Sequence, residues 1–276
     1  MIELNMAQEK PALKKILLIG PEGSGKTHFI STMPKPVYVF SFDKGYQTLV
    51  GIPGIQAGVF MDENRYRPQA YAQFKLKFDE LKLGKMLYTW PDGKQEPYQT
   101  IAVDSITALS KFLYDHEQSV NNTIDKQGGF GVWGNVKSKL SDVVTQSVLR
   151  AEYAVFTAQI ESEKDELTGE IFFKPSCEGS FRNEMGQWMD AVFFMQVDKK
   201  VTGEKDYKML TVGDRRQKAK VRIPSHLQQL NPVEIPDFGE LTKKITQSVA
   251  AYGNSAQAIQ TNQMKEERDG KVTSKP

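Results

Sequence analysis

One cysteine, Cys177, in 276 residues excludes an intramolecular disulfide framework and a zinc site built from several cysteines. That usage fits a reducing compartment, and the cytoplasm is the expected location. No apolar run approaches the ~18 residues that a membrane helix needs, so no membrane partner is expected. Met1 to Lys10 is too polar and acidic for a secretion or transit signal. Net charge is also scarce, because 36 Lys+Arg stand against 34 Asp+Glu. The three histidines, His28, His116 and His226, are scattered without metal-ligand spacing. What remains, 39% hydrophobic and 25% charged residues, is the composition of a globular chain rather than a disordered or collagenous one. The length suits one large α/β domain with appendages, at roughly 100–200 residues per domain.

The small net charge hides an uneven distribution. Lys199 to Arg222 holds nine basic and three acidic residues, a local charge of +6, which leaves the rest of the +2 chain at about −4.

Hydrophobic patterning orders the chain. Lys14 to Gly20 is a continuous apolar run ended by glycine and predicts a buried strand. A helix follows from Lys26 to Met33, stopped by Pro34 and Pro36, and then a strand from Val37 to Phe42. Tyr71, Phe74, Phe78 and Leu81 recur at helical spacing within 67–82. Pro91-Asp92-Gly93-Lys94 marks a hairpin or surface loop. Tyr98 to Val103 predicts a strand ending at Asp104, with Ser105 capping a helix to Val120. Beyond the glycine-rich break at 127–131, a helix over 132–150 leads into a strand over 153–159. A polar hairpin-like excursion over 161–176, a short helix over 180–188 and a strand over 191–197 complete the alternation. Strands alternating with helices predict an α/β fold with a mainly parallel sheet flanked by helices. The basic strip predicts a C-terminal antiparallel hairpin turning at Thr202-Gly203-Glu204. We therefore expect a polar leader over 1–11, a core over 12–225, an extension with a helix over 226–252 and a flexible tail over 253–276.

Gly20-Pro21-Glu22-Gly23-Ser24-Gly25-Lys26-Thr27 matches the phosphate-loop pattern G-x-x-x-x-G-K-[ST] in full. Glycines let the backbone wrap close to a polyphosphate, whose oxygens meet successive N–H groups. Lys26 would carry its charge to the β- and γ-phosphates of ATP, and the Thr27 hydroxyl would be a Mg²⁺ ligand. The loop lies between a predicted strand and a predicted helix, the context the motif requires. Such a site needs a second carboxylate at the end of a parallel strand. Asp104 stands there, as a metal-side carboxylate or as a helix cap.

The phosphate loop, the Asp104-Ser105-Ile106-Thr107-Ala108-Leu109 run after an apolar strand and the strand ending Thr157-Ala158-Gln159 resemble the core of RecA-type ATPases. Among these, the sequence is most similar over about residues 12–225 to phage-encoded ATP-binding proteins of the Sak type, which assist single-strand annealing. The resemblance implies a RecA-like core that hydrolyses ATP with Mg²⁺, acts on single-stranded DNA and assembles as a homo-oligomeric ring or filament. A single-strand-binding protein is a further partner that such an assembly admits.

The same resemblance implies roles for individual residues. Asp43, in the place where most relatives carry glutamate, corresponds to the carboxylate that orients the attacking water; it also suits a turn ahead of Gly45. Gln159 corresponds to the residue that senses the γ-phosphate and passes its state to the loop that follows. The DNA-binding segments would carry Lys126, Phe130 and Trp133 in one case, and Lys164, Phe172, Phe173, Lys174 and Arg182 in the other. Lys218 and Lys220 alternate along a predicted strand, facing ATP in a neighbouring subunit, a DNA backbone, or water. Two other classes remain open: a nucleotide-gated oligomeric module with little hydrolysis, and a phosphotransferase acting on a small acceptor.

Overall fold

Alternation of side chains along buried strands decides which layer each residue joins. In the computed structural model, which describes residues 13–124, 129–200, 202–227 and 229–252, β1 (Lys15–Ile19) sends Leu17 and Ile19 into one layer and Ile16 and Leu18 into the other. The chain continues through α1 (Lys26–Ser31), β2 (Val37–Ser41), a 3₁₀ turn (Lys44–Leu49), β3 (Ile55–Val59) and α2 (Ala70–Lys82). A small hairpin, β4 (Leu87–Thr89) and β5 (Gln95–Pro97), precedes β6 (Thr100–Asp104), α3 (Ile106–Val120), α4 (Phe130–Arg150) and β7 (Tyr153–Ala158). Then come the hairpin β8 (Ile160–Lys164) and β9 (Ile171–Pro175), α5 (Phe181–Glu184), β10 (Ala191–Lys199), β11 (Lys205–Leu210), β12 (Lys220–Val221) and β13 (Val233–Glu234). A last helix, α6, spans 238–252.

Among the described residues the main sheet runs β13-β11-β10-β1-β7-β6-β2-β3, with β12 also paired to β10. Strands β10, β1, β7, β6, β2 and β3 are mutually parallel. The strands β11 and β12 run antiparallel to β10. After β1 the chain crosses over β7 and β6 to reach β2, and its later return to β10 lies on the other side of β1. That reversal of direction falls at β1, and the carboxyl end of such a strand is the place where open α/β sheets bind ligands. The expected α/β fold, a mainly parallel sheet flanked by helices, is the fold observed.

One layer packs α2, α3 and α4 on the sheet through Phe40, Phe42, Phe60, Phe74 and Phe78. Their rings meet mostly edge to face, as Phe40 and Phe74 do at 5.2 Å and 86°. The opposite layer joins α1 and α6 through Phe29, Ile30, Phe238, Leu241 and Ile245. Truncating one such phenylalanine to alanine costs about 3–5 kcal/mol.

Some expectations shift in detail. β3, not anticipated, is an edge strand covering β2. α2 starts at Ala70 rather than Arg67, because Asp62 Oδ1 accepts the N–H groups of Gln69 and Ala70 at 2.6 and 2.7 Å. The basic strip does form the predicted hairpin, and Gly203 takes the left-handed φ of 83° at its turn. Its final strand is only Lys220–Val221, since the turn held by Asp214 occupies the preceding residues. Residues 1–11 and 253–276 and Lys126 lie outside the described residues.

Candidate nucleotide-binding site

The phosphate loop joins β1 to α1, and its glycines have separate reasons. A Cβ at Gly20 would lie 2.4 Å from the Met195 carbonyl oxygen on β10. Gly23 and Gly25 adopt φ of 71° and 88°, a region costly for residues with a side chain. The Ser24 hydroxyl donates to the Pro21 carbonyl at 2.8 Å and closes the loop. Lys26 is 9% exposed and folds back over this loop, donating to the Gly20 and Pro21 carbonyls at 2.8 and 2.7 Å. Burial pulls its ammonium below the ordinary lysine range, while the charges of Asp104, Asp43 and Glu22 oppose that shift.

Asp104 ends β6 at 2% exposure. Its Oδ2 accepts the Thr27 hydroxyl at 2.7 Å, and its Oδ1 accepts the Thr157 hydroxyl from the end of β7. Burial is the largest influence and pushes this carboxyl above its usual range; the two hydroxyls and Lys26 pull the other way, and Asp43 adds to the rise. Ser105, across a cis peptide bond, caps α3 by accepting the Ala108 N–H at 3.3 Å. The carboxylate of Asp104 is therefore not used as the cap.

Asp43 follows β2, which pairs with β6 so that Ser41 stands opposite Asp104. Its Oδ1 accepts the Gly45 N–H at 2.8 Å and starts the 3₁₀ turn, so the turn reading of this residue holds. It also faces the site. A Cβ at Gly45 would lie 2.8 Å from Asp43 Oδ1, 2.9 Å from Thr27 Oγ1 and 3.3 Å from Asp104 Oδ2. The hydroxyl and carboxylate oxygens gathered beside Gly45 are donors of the kind that Mg²⁺ takes. Thr27 and Asp104 are the residues that would hold it.

Gln159, just past β7, reaches the loop from the opposite side, its Nε2 lying 3.4 Å from Glu22 Oε1. Its N–H donates to Thr107 Oγ1 at 2.9 Å, and that hydroxyl donates to the Ser176 carbonyl at 2.6 Å. The Ser176 N–H returns to the Gln159 carbonyl at 2.8 Å. Gln159 is thus tied both to the phosphate loop and to the base of the β8–β9 hairpin.

The residues expected to touch DNA are spread around this hairpin and the start of α4. Phe130 is 99% exposed, whereas Trp133 stacks on Tyr114 at 4.5 Å and 28°. Lys164 is exposed and Phe172 half-buried, and Phe173 packs toward Phe194 at 6.1 Å. Lys174 pairs with Glu161 and Glu163, and Arg182 with Glu161. These two cations already have internal partners, though partly exposed pairs of this kind are worth only about 0–1 kcal/mol each and can be exchanged.

Lys218 and Lys220 do not share a strand. Lys218 precedes β12, near enough to the hairpin for Glu163 to feel its charge. Lys220 pairs with Val192 near the start of β10, where Asp190 and Arg222 are its charged neighbours. Ile19, beside the phosphate loop, is level with Phe194 near the far side of that register. Lys220 therefore lies level with Leu17 in the middle of β1, two residues short of the end that carries the loop.

Several contributors escaped the sequence reading. Thr157 and Thr107 lie in the runs that carry the resemblance but were given no role there, although a hydroxyl ending a buried strand is an available signal. Tyr207 on β11 lays its ring against the loop, 3.1 Å from where a Cβ at Gly25 would be. Gly45 is explained only by what the fold brings beside it.

No helix among the described residues is long and apolar enough to cross a membrane. No curated protein matches the chain in sequence. Residues 12–223, which contain the loop, Asp43, Asp104, Gln159 and the β8–β9 hairpin, match the family described as an AAA domain. The chain belongs to this AAA-domain family of P-loop ATPases.

Proposed function

We propose that the chain binds and hydrolyses Mg·ATP, couples the state of the nucleotide to single-stranded DNA and works as a homo-oligomer in recombination or annealing of the phage Sak type. The observation that carries this reading is the position of Gln159. Its amide lies beside Glu22 in the phosphate loop, and its backbone is hydrogen-bonded through Thr107 and Ser176 to the hairpin that follows. An amide can donate to a γ-phosphate oxygen and lose that bond when the oxygen departs, and its tether would pass the change to β8–β9.

Lys26 would exchange the Gly20 and Pro21 carbonyls for phosphate oxygens, and the loop N–H groups would hold the polyphosphate in line. Thr27 and Asp104 would hold magnesium, which when bound offsets negative charge on the transferring group. Glu22 must yield Gln159 for the amide to sense phosphate.

One observation favours a second reading, a nucleotide-gated module with little hydrolysis. Asp43 is short and is held by the Gly45 N–H, which leaves it less free to serve an attacking water. Fluorescence anisotropy of a labelled oligonucleotide, with and without Mg·ATP, tests the coupling. ATP should change the affinity for single-stranded DNA in the parent protein but not in Gln159→Ala. An affinity indifferent to nucleotide in the parent would overturn the proposed coupling.

A further inference from the structure

Resting on the nucleotide-site reading above, we infer that Asp43 is a carboxylate of the metal's coordination environment, beside Thr27 and Asp104, rather than the group that positions attacking water. Several independent features lead there. Asp43 Oδ1, Thr27 Oγ1 and Asp104 Oδ2 all lie within 3.3 Å of one point, the place of an absent Cβ at Gly45. Any larger residue at 45 would fill the space among these oxygens. The placement of Asp43 is also fixed: the Ser41 hydroxyl donates to its carbonyl at 3.0 Å, and the adjacent Phe42 N–H donates to the Asp104 carbonyl at 2.7 Å. The first bond fixes the backbone at Asp43, and the second ties the end of β2 to the end of β6.

Charge points the same way. Counting Asp43, Asp104 and Glu22 against Lys26, this cluster has a formal charge of −2 when all are ionised. Adjacent carboxylates repel a polyphosphate unless a divalent cation lies between them. The carboxylate of Asp43, one methylene shorter than glutamate, is anchored to the N–H of Gly45, the residue that Thr27 and Asp104 also line. It can act on the ion directly or through a bound water, as outer carboxylates do at other metal sites.

The test compares the affinity of the full chain for a non-hydrolysable fluorescent ATP analogue in Mn²⁺ and in EDTA. In the parent protein the metal should strengthen binding markedly. Asp43→Asn should reduce that metal enhancement by ~10–100-fold, the usual loss when a supporting ligand is removed. Its affinity in EDTA should stay equal or rise, because one negative charge near the polyphosphate is gone. A damaged fold would weaken both affinities together, so the opposite signs identify the role. Should Asp43→Asn fail to fold, Gly45→Ala keeps the carboxylate and places a methyl among the oxygens; it should likewise lose metal enhancement. An unchanged Mn²⁺-to-EDTA ratio in either folded variant would contradict the inference, also if turnover fell. Absence of analogue binding by the parent protein would instead overturn the nucleotide-site reading itself, and the inference with it.

Discussion

Thr27 and Asp104 stand 77 residues apart and are joined by a 2.7 Å hydrogen bond from the threonine hydroxyl to the carboxylate. One comes from the first turn of α1 and the other from the end of β6. Their meeting joins a local loop motif to a carboxylate from another strand, which a contiguous phosphate-loop pattern does not supply.

Thr157 completes that pair from β7. Replacing it with valine removes the donor to Asp104 Oδ1 and leaves a buried carboxylate oxygen without its partner. Chemical denaturation should show a loss of about 1–3 kcal/mol, and Thr157→Ser should recover most of it. Equal stability of the valine variant would mean that this hydroxyl does not support Asp104.

Lys26→Ala should leave the fold standing and remove turnover. The lost charge is one that acts on the transferring phosphates, for which ~10²–10³-fold in rate is the usual scale. A steady-state ATPase assay beside circular dichroism separates the two effects. A folded variant with parental activity would contradict the placement of the site.

Gly20→Ala is expected to act on the sheet rather than on the chemistry. Its Cβ would press on the Met195 carbonyl at 2.4 Å, a backbone atom that cannot swing aside. Overpacking of this kind costs roughly 1–3 kcal/mol, read as a lowered thermal midpoint without nucleotide.

Cys177 gives a pH signature. Burial pushes its thiol up to about 12 from an ordinary value near 9, so the native protein keeps the proton through a range in which the unfolded chain loses it. The unfolded state then binds fewer protons, and stability falls as pH rises above 9, at about 1.4 kcal/mol per pH unit for this group. Parent and Cys177→Ala should therefore draw apart in denaturation midpoint between pH 9 and 11, with the parent falling faster. Native protein at pH 8 should also react with iodoacetamide far more slowly than unfolded protein. Rapid native alkylation would contradict the burial.

The parts of this protein legible in its sequence are those encoded over short spans. Gly20 to Thr27 is a contiguous motif, and the apolar runs of β1, β6, β7 and β10 are buried on both faces, so their hydrophobicity is unbroken. Ser105 as the cap of α3 follows from one residue type in front of a periodic segment. β3 escaped because Ile55-Gln56-Ala57-Gly58-Val59 is an edge strand with a glycine and a glutamine and only part of its surface buried. Thr157, Thr107 and Gly45 escaped for a different reason. Their meaning lies in partners from other strands, and pairing across a parallel sheet cannot be read from spacing along one of them. Lys218 and Lys220 show the limit of alternation: a shared face requires a continuous strand, and the Asp214 turn leaves only Lys220–Val221 in the sheet.

The most direct test of the account is ATP hydrolysis by the purified protein with and without single-stranded DNA, measured beside Lys26→Ala to exclude a contaminating activity. The account predicts Mg²⁺-dependent turnover that rises with DNA and vanishes in the variant. Turnover that ignores DNA, or tight Mg·ATP binding with no turnover at all, would contradict it.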